Sequence, residues 1–481
     1  MKCPKILAAA IMLGIAVPAA AHDEGHSPVQ VPWQQATGWP DRIVATIDGD
    51  PATSISVTWR TAGSVLNTKA EIVRALPDAR FDVGATVAQA ETQVLELAEL
   101  ALAGSMMPVE GNEGLEPTSH HSVGFEGLEP DTLYAYRVQG AEGQWSEWFQ
   151  TRTAPLSGPM RFIYLGDAQN GLDSHWPRVI RAAFQQAPDA RFILHAGDLV
   201  NRGSRDLEWA HWFKGGGFIH SMVPAIPVAG NHEYDTIDLS EAERRRVLSL
   251  LWRPQFRLPE VPELPADLQE TVYAVRYSAD LHVFVLNSNM PDMTDQAAWL
   301  DRELATSDAR WRIVTMHHPI YSSGRERDNS EKREVMLPIL LKHKVDLVLQ
   351  GHDHTYARGT IGEPEQAPSR SAALEDTGIS TMFVNSVAGP KQYEFSENGW
   401  DAYAPTGVTL DRMAENTQFY QVIGIDGDEL HYQAYTADGV LYDEVRLHKS
   451  VEGRKSISSN DAALPPERRF VNTLPYDSVG N

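Results

Sequence analysis

Over about residues 40–155 the chain alternates between apolar and polar positions. In Ser54-Ile55-Ser56-Val57-Thr58-Trp59 the apolar residues fall on every second position, the period of a strand buried on one face. Tyr134, Tyr136 and Val138 repeat that period after the turn Glu129-Pro130-Asp131. The pattern predicts an all-β module over 40–155, with residues 153–159 (TAPLSGP) as the linker that follows. Residues 89–104 stand apart, because their composition favours a helix.

Beyond the linker the rhythm changes to short, wholly apolar strands that each end in a polar cluster. Phe162-Ile163-Tyr164-Leu165 runs into Gly166-Asp167, and Phe192-Ile193-Leu194 leads to Gly197-Asp198. Ile226-Pro227-Val228 leads to Gly230-Asn231-His232-Glu233. Asp167, Asp198 and Asn231 follow one another at 31 and 33 residues, the length of a strand–helix–strand unit. Ile313-Val314-Thr315-Met316 precedes His317-His318, and Leu347-Val348-Leu349 precedes Gly351-His352-Asp353-His354, with 35 residues from His317 to His352. The 86 residues from Asn231 to His317 exceed one unit and predict an insertion or lid over 236–269 and a strand over 282–286. QYEFSENGW and FYQVIGIDGDELHYQAY predict further β structure, and the segment from about Ser450 reads as a mobile tail. The prediction is a two-domain α/β chain.

Length agrees, since 481 residues are too many for one hydrophobic core. Lys2 and Lys5 precede an apolar run from Ile6 to Val17 that ends at Ala19-Ala20-Ala21. This predicts a signal peptide over 1–21, a mature chain beginning at His22, and a secreted or periplasmic protein. The run is short for a membrane span, and no later segment is apolar enough for one. The one cysteine, Cys3, leaves with that peptide, so a metal must be held by nitrogen and oxygen. The formal charge of -24 becomes -26 without Lys2 and Lys5, which argues against nucleic acid and anionic membranes as partners.

Polar side chains at the ends of several parallel strands converge on one edge of the sheet. The donors there are Asp167, Asp198, Asn231, His317, His352 and His354. A single Gly-Asp after a strand is usually a turn, and a single Gly-His-x-His is often a surface pair. Five such clusters, each at a strand end, predict a metal site for two ions. His352 and His354 point the same way in an extended segment and can serve both ions, while Asp198 can bridge them. Two cations about 3.5–4 Å apart clamp a phosphoryl group and activate a water for attack on phosphorus. His195, inside a strand, reads as a core histidine.

GDAQ, GDLVNRG, GNHE, MHHP and GHDH resemble the five blocks of the metallophosphoesterase (calcineurin-like) superfamily. SVTWRT and GLEPDTLYAYRV in front of them make residues 40–447 similar to the purple acid phosphatases, whose first domain is fibronectin-III-like. A tyrosine at the Tyr134 position would tie strand to loop in such a sandwich. The resemblance implies a fibronectin-III-like domain over 40–155, a four-layer αββα catalytic domain over 158–447 and a tail over 448–481. It implies one ion on Asp167, Asp198 and His354, and another on Asp198, Asn231, His317 and His352. The ions would be Fe, Mn or Zn, the substrate a small phosphate monoester, and the attacking group a metal-activated water. His232 would protonate the leaving alkoxide or bind the phosphate. From their places in the chain, Arg202 can meet a phosphate oxygen through its guanidinium fork, His318 can orient the ligand before it or touch substrate, and Tyr321, Arg325 and Arg327 can line the pocket.

The chain departs from the pattern at two positions. Purple enzymes carry a tyrosine where this chain has Asn201, and non-purple relatives a histidine where it has Gln169. Gln169, Asn201 or water would complete the first ion's shell, and a purple band is not expected. A phosphodiesterase or nucleotidase on the same site is the alternative within enzymes. A surface-binding protein with a vestigial site would require a broken ligand set, and all six positions are intact.

Overall fold

The computed structural model describes residues 32–100, 108–240, 243–362 and 377–469. The expected signal peptide and the last residues of the expected tail lie outside them. The alternating segments form two antiparallel layers. Asp41–Thr46, Ile55–Ala62, Thr118–Phe125 and Glu91–Leu95 make one layer. Thr86–Gln89, Lys69–Arg74, Leu133–Val138 and Phe149–Arg152 make the other. Val57, Trp59, Ile72, Tyr136 and Phe149 meet between them in one core. The Tyr134 hydroxyl accepts the N–H of Glu129 at 2.9 Å, tying strand to turn.

Residues 89–99 do not form the helix that their composition favours. Glu91–Leu95 is a strand along Thr118–Phe125, followed by one 3-10 turn over Leu97–Glu99. The edge of the layer offers backbone partners that a helix here would leave unpaired, and that pairing overrides propensity.

In the second region two blocks of parallel strands lie in one continuous sheet. Met160–Leu165, Ile193–His195 and Ala225–Pro227 form the first block. Leu281–Val285, Trp311–Thr315, Leu347–Gln350 and Thr377–Asn385 form the second, and the first of these is the strand expected over 282–286. The antiparallel strands Phe419–Asp426, Glu429–Thr436, Leu441–Lys449 and Lys455–Ser459 run from the first block to the second. The helices Trp176–Gln186 and Asp206–Gly216 share a core with the first block through Trp176, Val179, Ile180, Trp209 and Trp212. Thr294–Thr306 and Ser330–Lys342 pack Trp299, Leu300, Met336 and Leu340 onto the second. Each fully buried side chain of this size contributes roughly 1.5–3 kcal/mol of apolar transfer, an upper bound for the folded chain.

One expectation gains detail here and another changes. The hairpin Tyr234–Ser240 with Glu243–Leu248 leads into the expected insertion over 236–269, which also holds a short helix, Trp252–Gln255. The tail expected from 448 starts with ordered structure, because Lys455–Ser459 pairs on both sides. Lys455 and Lys449 place their ammonium groups 2.9 and 2.7 Å from the buried Asp346 carboxylate. Burial alone would raise the Asp346 pKa, but the two lysine charges hold it below the usual carboxylate range.

Candidate metal centre

Because the strands within each block are parallel, their polar ends reach one edge together. Asp167 follows Met160–Leu165, Asp198 follows Ile193–His195, and Asn231 follows Ala225–Pro227. From the other block come His317 after Trp311–Thr315, and His352 and His354 after Leu347–Gln350. The glycines that precede three of these donors are explained by space. A Cβ on Gly197 would lie 2.5 Å from His317 Nδ1, one on Gly230 would fall on the Asp198 carboxylate, and one on Gly351 on that of Asp167. Asp198 and His352 themselves have φ of 50° and 73°. That left-handed conformation costs roughly 1–2 kcal/mol per residue outside glycine and persists where neighbouring bonds fix it.

Those bonds also decide which atoms face inward. Asp198 Oδ1 accepts the N–H of His232 at 2.9 Å, and Asp167 Oδ1 that of His352 at 2.6 Å. The second oxygen of each carboxylate therefore turns into the cluster. There Asp198 Oδ2 lies 3.2 Å from His317 Nε2, and Asp167 Oδ2 lies 3.2 Å from His354 Nε2. His317 Nδ1 is 2.9 Å from the carbonyl of Ala196, and His354 Nδ1 is 2.8 Å from that of Lys391. Those carbonyls assign the protons to Nδ1 and leave both Nε2 lone pairs free for an ion. Asn231 Oδ1 and His352 Nδ1 lie 3.1 and 3.2 Å from His317 Nε2.

The result is two groups of donor atoms, Asp198 with His317 and His352, and Asp167 with Asp198 and His354. They share Asp198. Asp167 Oδ2 and Gln169 Oε1 are buried with no hydrogen-bond partner among the described residues. Buried oxygens and imidazole lone pairs turned on one another repel unless a cation lies between them. The donor set fits ions held by nitrogen and oxygen.

Without an ion, a proton on His317 relieves the same crowding. Burial would raise the Asp198 pKa, yet the positive charges on His317 and His232 hold it well below the carboxylate range. Burial would lower that of His317, but Asp198 and Asp167 raise it to about 9.

Residues 160–356 match the calcineurin-like phosphoesterase family, and residues 40–153 match the purple acid phosphatase N-terminal domain. The chain carries a calcineurin-like phosphoesterase domain behind a purple acid phosphatase N-terminal domain. It is 30% identical over 258 residues to the Fe(3+)-Zn(2+) purple acid phosphatase 12 of Arabidopsis thaliana, covering 50% of this chain and 52% of that protein. It is 28% identical over 341 residues to the phosphoenolpyruvate phosphatase of Allium cepa, covering 63% of this chain and 65% of the relative. The chain spans about half the length of most of the curated relatives it matches. In fold it is similar to purple acid phosphatase PPD1 of yellow lupin (Lupinus luteus), with a TM-score of 0.66, 17% identity, and coverage of 91% of this chain and 78% of that one. It is also similar to PhoD, with a TM-score of 0.61, 12% identity, and coverage of 91% and 96%.

Within the phosphoesterase domain, the other residues singled out in the sequence separate clearly. Gln169 is at the centre, its Nε2 2.9 Å from both Asp198 Oδ2 and His354 Nε2. Asn201 enters through its backbone, its carbonyl 2.5 Å from His232 Nδ1 and its N–H 3.4 Å from Glu208. His232 Nε2 thus faces the cluster, 3.9 Å from Asp198 Oδ2. His318 lies against His352, ring centroids 4.1 Å apart, with Nδ1 2.9 Å from the Ser288 hydroxyl. Arg327 reaches His352 Nε2 and binds Asp353 at 2.7 Å.

Three residues expected at the pocket have other partners. Tyr321 is buried among Phe383, Trp400 and Tyr403, with its hydroxyl 2.9 Å from Thr406. Arg325 is half exposed and pairs with Glu394 at 2.7 Å. Arg202 points to Glu110 of the N-terminal domain at 3.6 Å.

Glu233 and Asp353 belong to the site's framework and were not singled out from the sequence. Glu233 is fully buried and accepts the N–H groups of Gly230, Asp198 and Leu199 at 2.7, 2.9 and 2.9 Å. Burial and the nearby Asp198 charge raise its pKa to about 8. Asp353 accepts from Ser323 and Gly324 at 2.7 and 3.0 Å. The signal was present, since both are the acidic members of GNHE and GHDH.

Proposed function

We propose that the protein is an exported phosphatase that hydrolyses small phosphate monoesters at a two-ion centre. The observation that carries this reading is the pair of donor groups meeting at Asp198. Asp167, Asp198 and His354 would hold one ion, and a half-turn of the Gln169 amide, whose Nε2 now faces them, would add its oxygen. Asp198, Asn231, His317 and His352 would hold the other. Bound there, two divalent cations supply charge for the phosphoryl group and bring the pKa of a water to roughly 7.

The chain's own groups position and protonate. The carbonyl of Asn201 fixes the proton of neutral His232 on Nδ1, so a second proton on Nε2 is the one it gives to the leaving alkoxide. Glu233 holds the Asp198 loop through the N–H groups of Asp198, Leu199 and Val200. Asn201 is neutral and shows only backbone ties, so we assign the first site to Mn, Zn or ferrous iron and expect no purple band. The all-β domain over 40–155 is fibronectin-III-like, a reading supported by the tie from Tyr134 to Glu129.

Metal analysis of protein purified without chelators, paired with a panel of phosphate monoesters and diesters, tests the reading. About two ions per chain and turnover of monoesters are expected. One ion or none after supplementation, or no turnover of any phosphate ester, overturns it.

A further inference from the structure

The loop that follows Asp198 is held from the other domain. Asn112 lies in the N-terminal domain and is fully buried. Its Nδ2 donates to the carbonyl of Ser204 at 2.9 Å, and its Oδ1 accepts the N–H of Asp206 at 3.0 Å. Asp206 opens the helix Asp206–Gly216, where first-turn N–H groups have no partner inside the helix. One side chain from the neighbouring domain therefore satisfies a donor and an acceptor that would otherwise be buried unpaired. The Asp206 carboxylate sits 2.7 Å from Arg42 and 3.5 Å from Arg60, both on strands of the N-terminal domain. Glu110 of the same domain binds Arg205 at 2.8 Å.

The far side of this loop faces His232. Gly203 donates its N–H to the His232 carbonyl at 2.8 Å, and the Asn201 carbonyl is the 2.5 Å partner of His232 Nδ1. Gly203 is pinned in turn, its carbonyl accepting from Trp209 Nε1 and the Ser249 hydroxyl at 2.6 Å each. Asn112 and the His232 ring are therefore joined through the backbone of residues 201–206.

We infer that Asn112 is a positioning residue for phosphate-ester hydrolysis, through which the N-terminal domain aims the imidazole of His232 at the leaving-group oxygen. The inference rests on the reading of His232 as the proton donor. A proton transfer tolerates little misalignment, and a shift of about 1 Å in a reacting group costs up to 10²-fold in rate. Loss of the two Asn112 bonds leaves the Ser204 carbonyl and the Asp206 N–H unpaired in a buried position. The loop that repacks to satisfy them shifts the Asn201 carbonyl that orients the ring, while the metal donors stay in place.

The test is a double-mutant cycle on the full-length, metal-replete protein with Asn112→Ala, His232→Ala and the pair, assayed on an alkyl phosphate and on p-nitrophenyl phosphate. Asn112→Ala is expected to lower kcat for the alkyl ester by about 10- to 10²-fold with KM and bound metal unchanged, and to lower it less for the p-nitrophenyl ester. In the His232→Ala background it is expected to cost nothing further, because the ring it aims is gone. Asn112→Asp keeps the acceptor for the Asp206 N–H and loses the donor to Ser204, so it gives the same pattern with a smaller loss and serves where the alanine variant is poorly folded. Additive losses in the double mutant, or an unchanged kcat in both Asn112 variants, overturn the inference while leaving the role of His232 standing. An unchanged rate in His232→Ala overturns the proton-donor reading itself, and this inference with it.

Discussion

Two buried histidines of the structure, His195 and His317, sit at opposite ends of the same chemistry. His195 is 2% exposed and His317 is 0% exposed. His195 sits inside a strand, its ring 6.1 Å from Trp176, 5.4 Å from Trp212 and 6.4 Å from His220. Burial, with His220 next to it, pushes its pKa well below the usual range. His317 lies just past a strand end with two carboxylates in reach, and there the same burial is outweighed and the pKa rises to about 9. Burial does not distinguish a ligand from a core side chain. What distinguishes them is whether the strand has ended, because only beyond the last ladder bond do side chains from several strands turn toward one point.

The comparison breaks most sharply at Asp198. Asp198→Ala removes the one donor common to both groups, so bound metal and hydrolysis are both expected to fall to background while the fold is kept. His195→Phe, three residues upstream, is expected to keep the metal content and rate of the parent. Metal analysis and turnover on the two variants check this, and an active, metal-replete Asp198→Ala would break the two-ion assignment. His232→Ala comes next, with metal content kept and the rate for an alkyl ester lowered roughly 10²–10⁴-fold, the range for losing a general acid.

Much of this was legible in the sequence for a physical reason. Strands buried on both faces write continuous apolar runs, and the residues that follow each run must lie on one sheet edge. The six donor positions follow from that pattern, whereas the tie from Tyr134 follows from the resemblance of GLEPDTLYAYRV to a sandwich corner. Proximity made by long-range folding was not legible. Tyr321 and Arg325 follow the HHP turn by a few residues, yet one side chain turns into the core and the other to Glu394. Lys455 looked like tail because its partner Asp346 lies over a hundred residues away. The contact of Asn112 with residues 204–206 crosses a domain boundary, and nothing local to either segment announces it.

A smaller effect separates the two histidines by pH in the metal-free, chelated protein. The folded pKa of His317 is raised, so its pairing with Asp198 contributes stability that is complete below about pH 6.5 and lost as pH rises through about 9. The folded pKa of His195 is depressed, so the stability tied to its neutral form is present above about pH 6.5 and lost as pH falls below it. Thermal unfolding between about pH 5 and 10 is therefore expected to show a decline on both sides. His317→Asn reduces the alkaline decline and His195→Phe the acid decline, each by on the order of 1–3 kcal/mol, with His220, His318 and His352, also depressed by burial, keeping part of the acid side. If one substitution flattens both sides, the clusters are coupled and the contrast fails.

The smallest expected effect concerns the two amides that stand where relatives carry other groups. Both are neutral and polar, yet the structure treats them differently. Gln169 is fully buried at 2.9 Å from Asp198 Oδ2 and His354 Nε2, with its Oε1 free of partners among the described residues. Exchanging its oxygen and nitrogen by a half-turn of the amide aims the oxygen at the space those atoms surround. Asn201 contributes its carbonyl to His232 and its N–H to Glu208, and its role is complete through the backbone. Gln169→Ala is thus expected to weaken one ion roughly tenfold, the lower end of what removing a partner of a metal site costs. Asn201→Ala is expected to leave both ions in place. Equilibrium dialysis against graded chelator reads this directly, as one ion leaving early in Gln169→Ala and neither in Asn201→Ala. Asn201→Tyr loaded with iron under air adds a spectroscopic arm. A charge-transfer band there would show that a side chain at 201 reaches the ion after all, and that the backbone ties leave it room to turn. Early metal loss in Asn201→Ala with none in Gln169→Ala would reverse the assignment of the two amides.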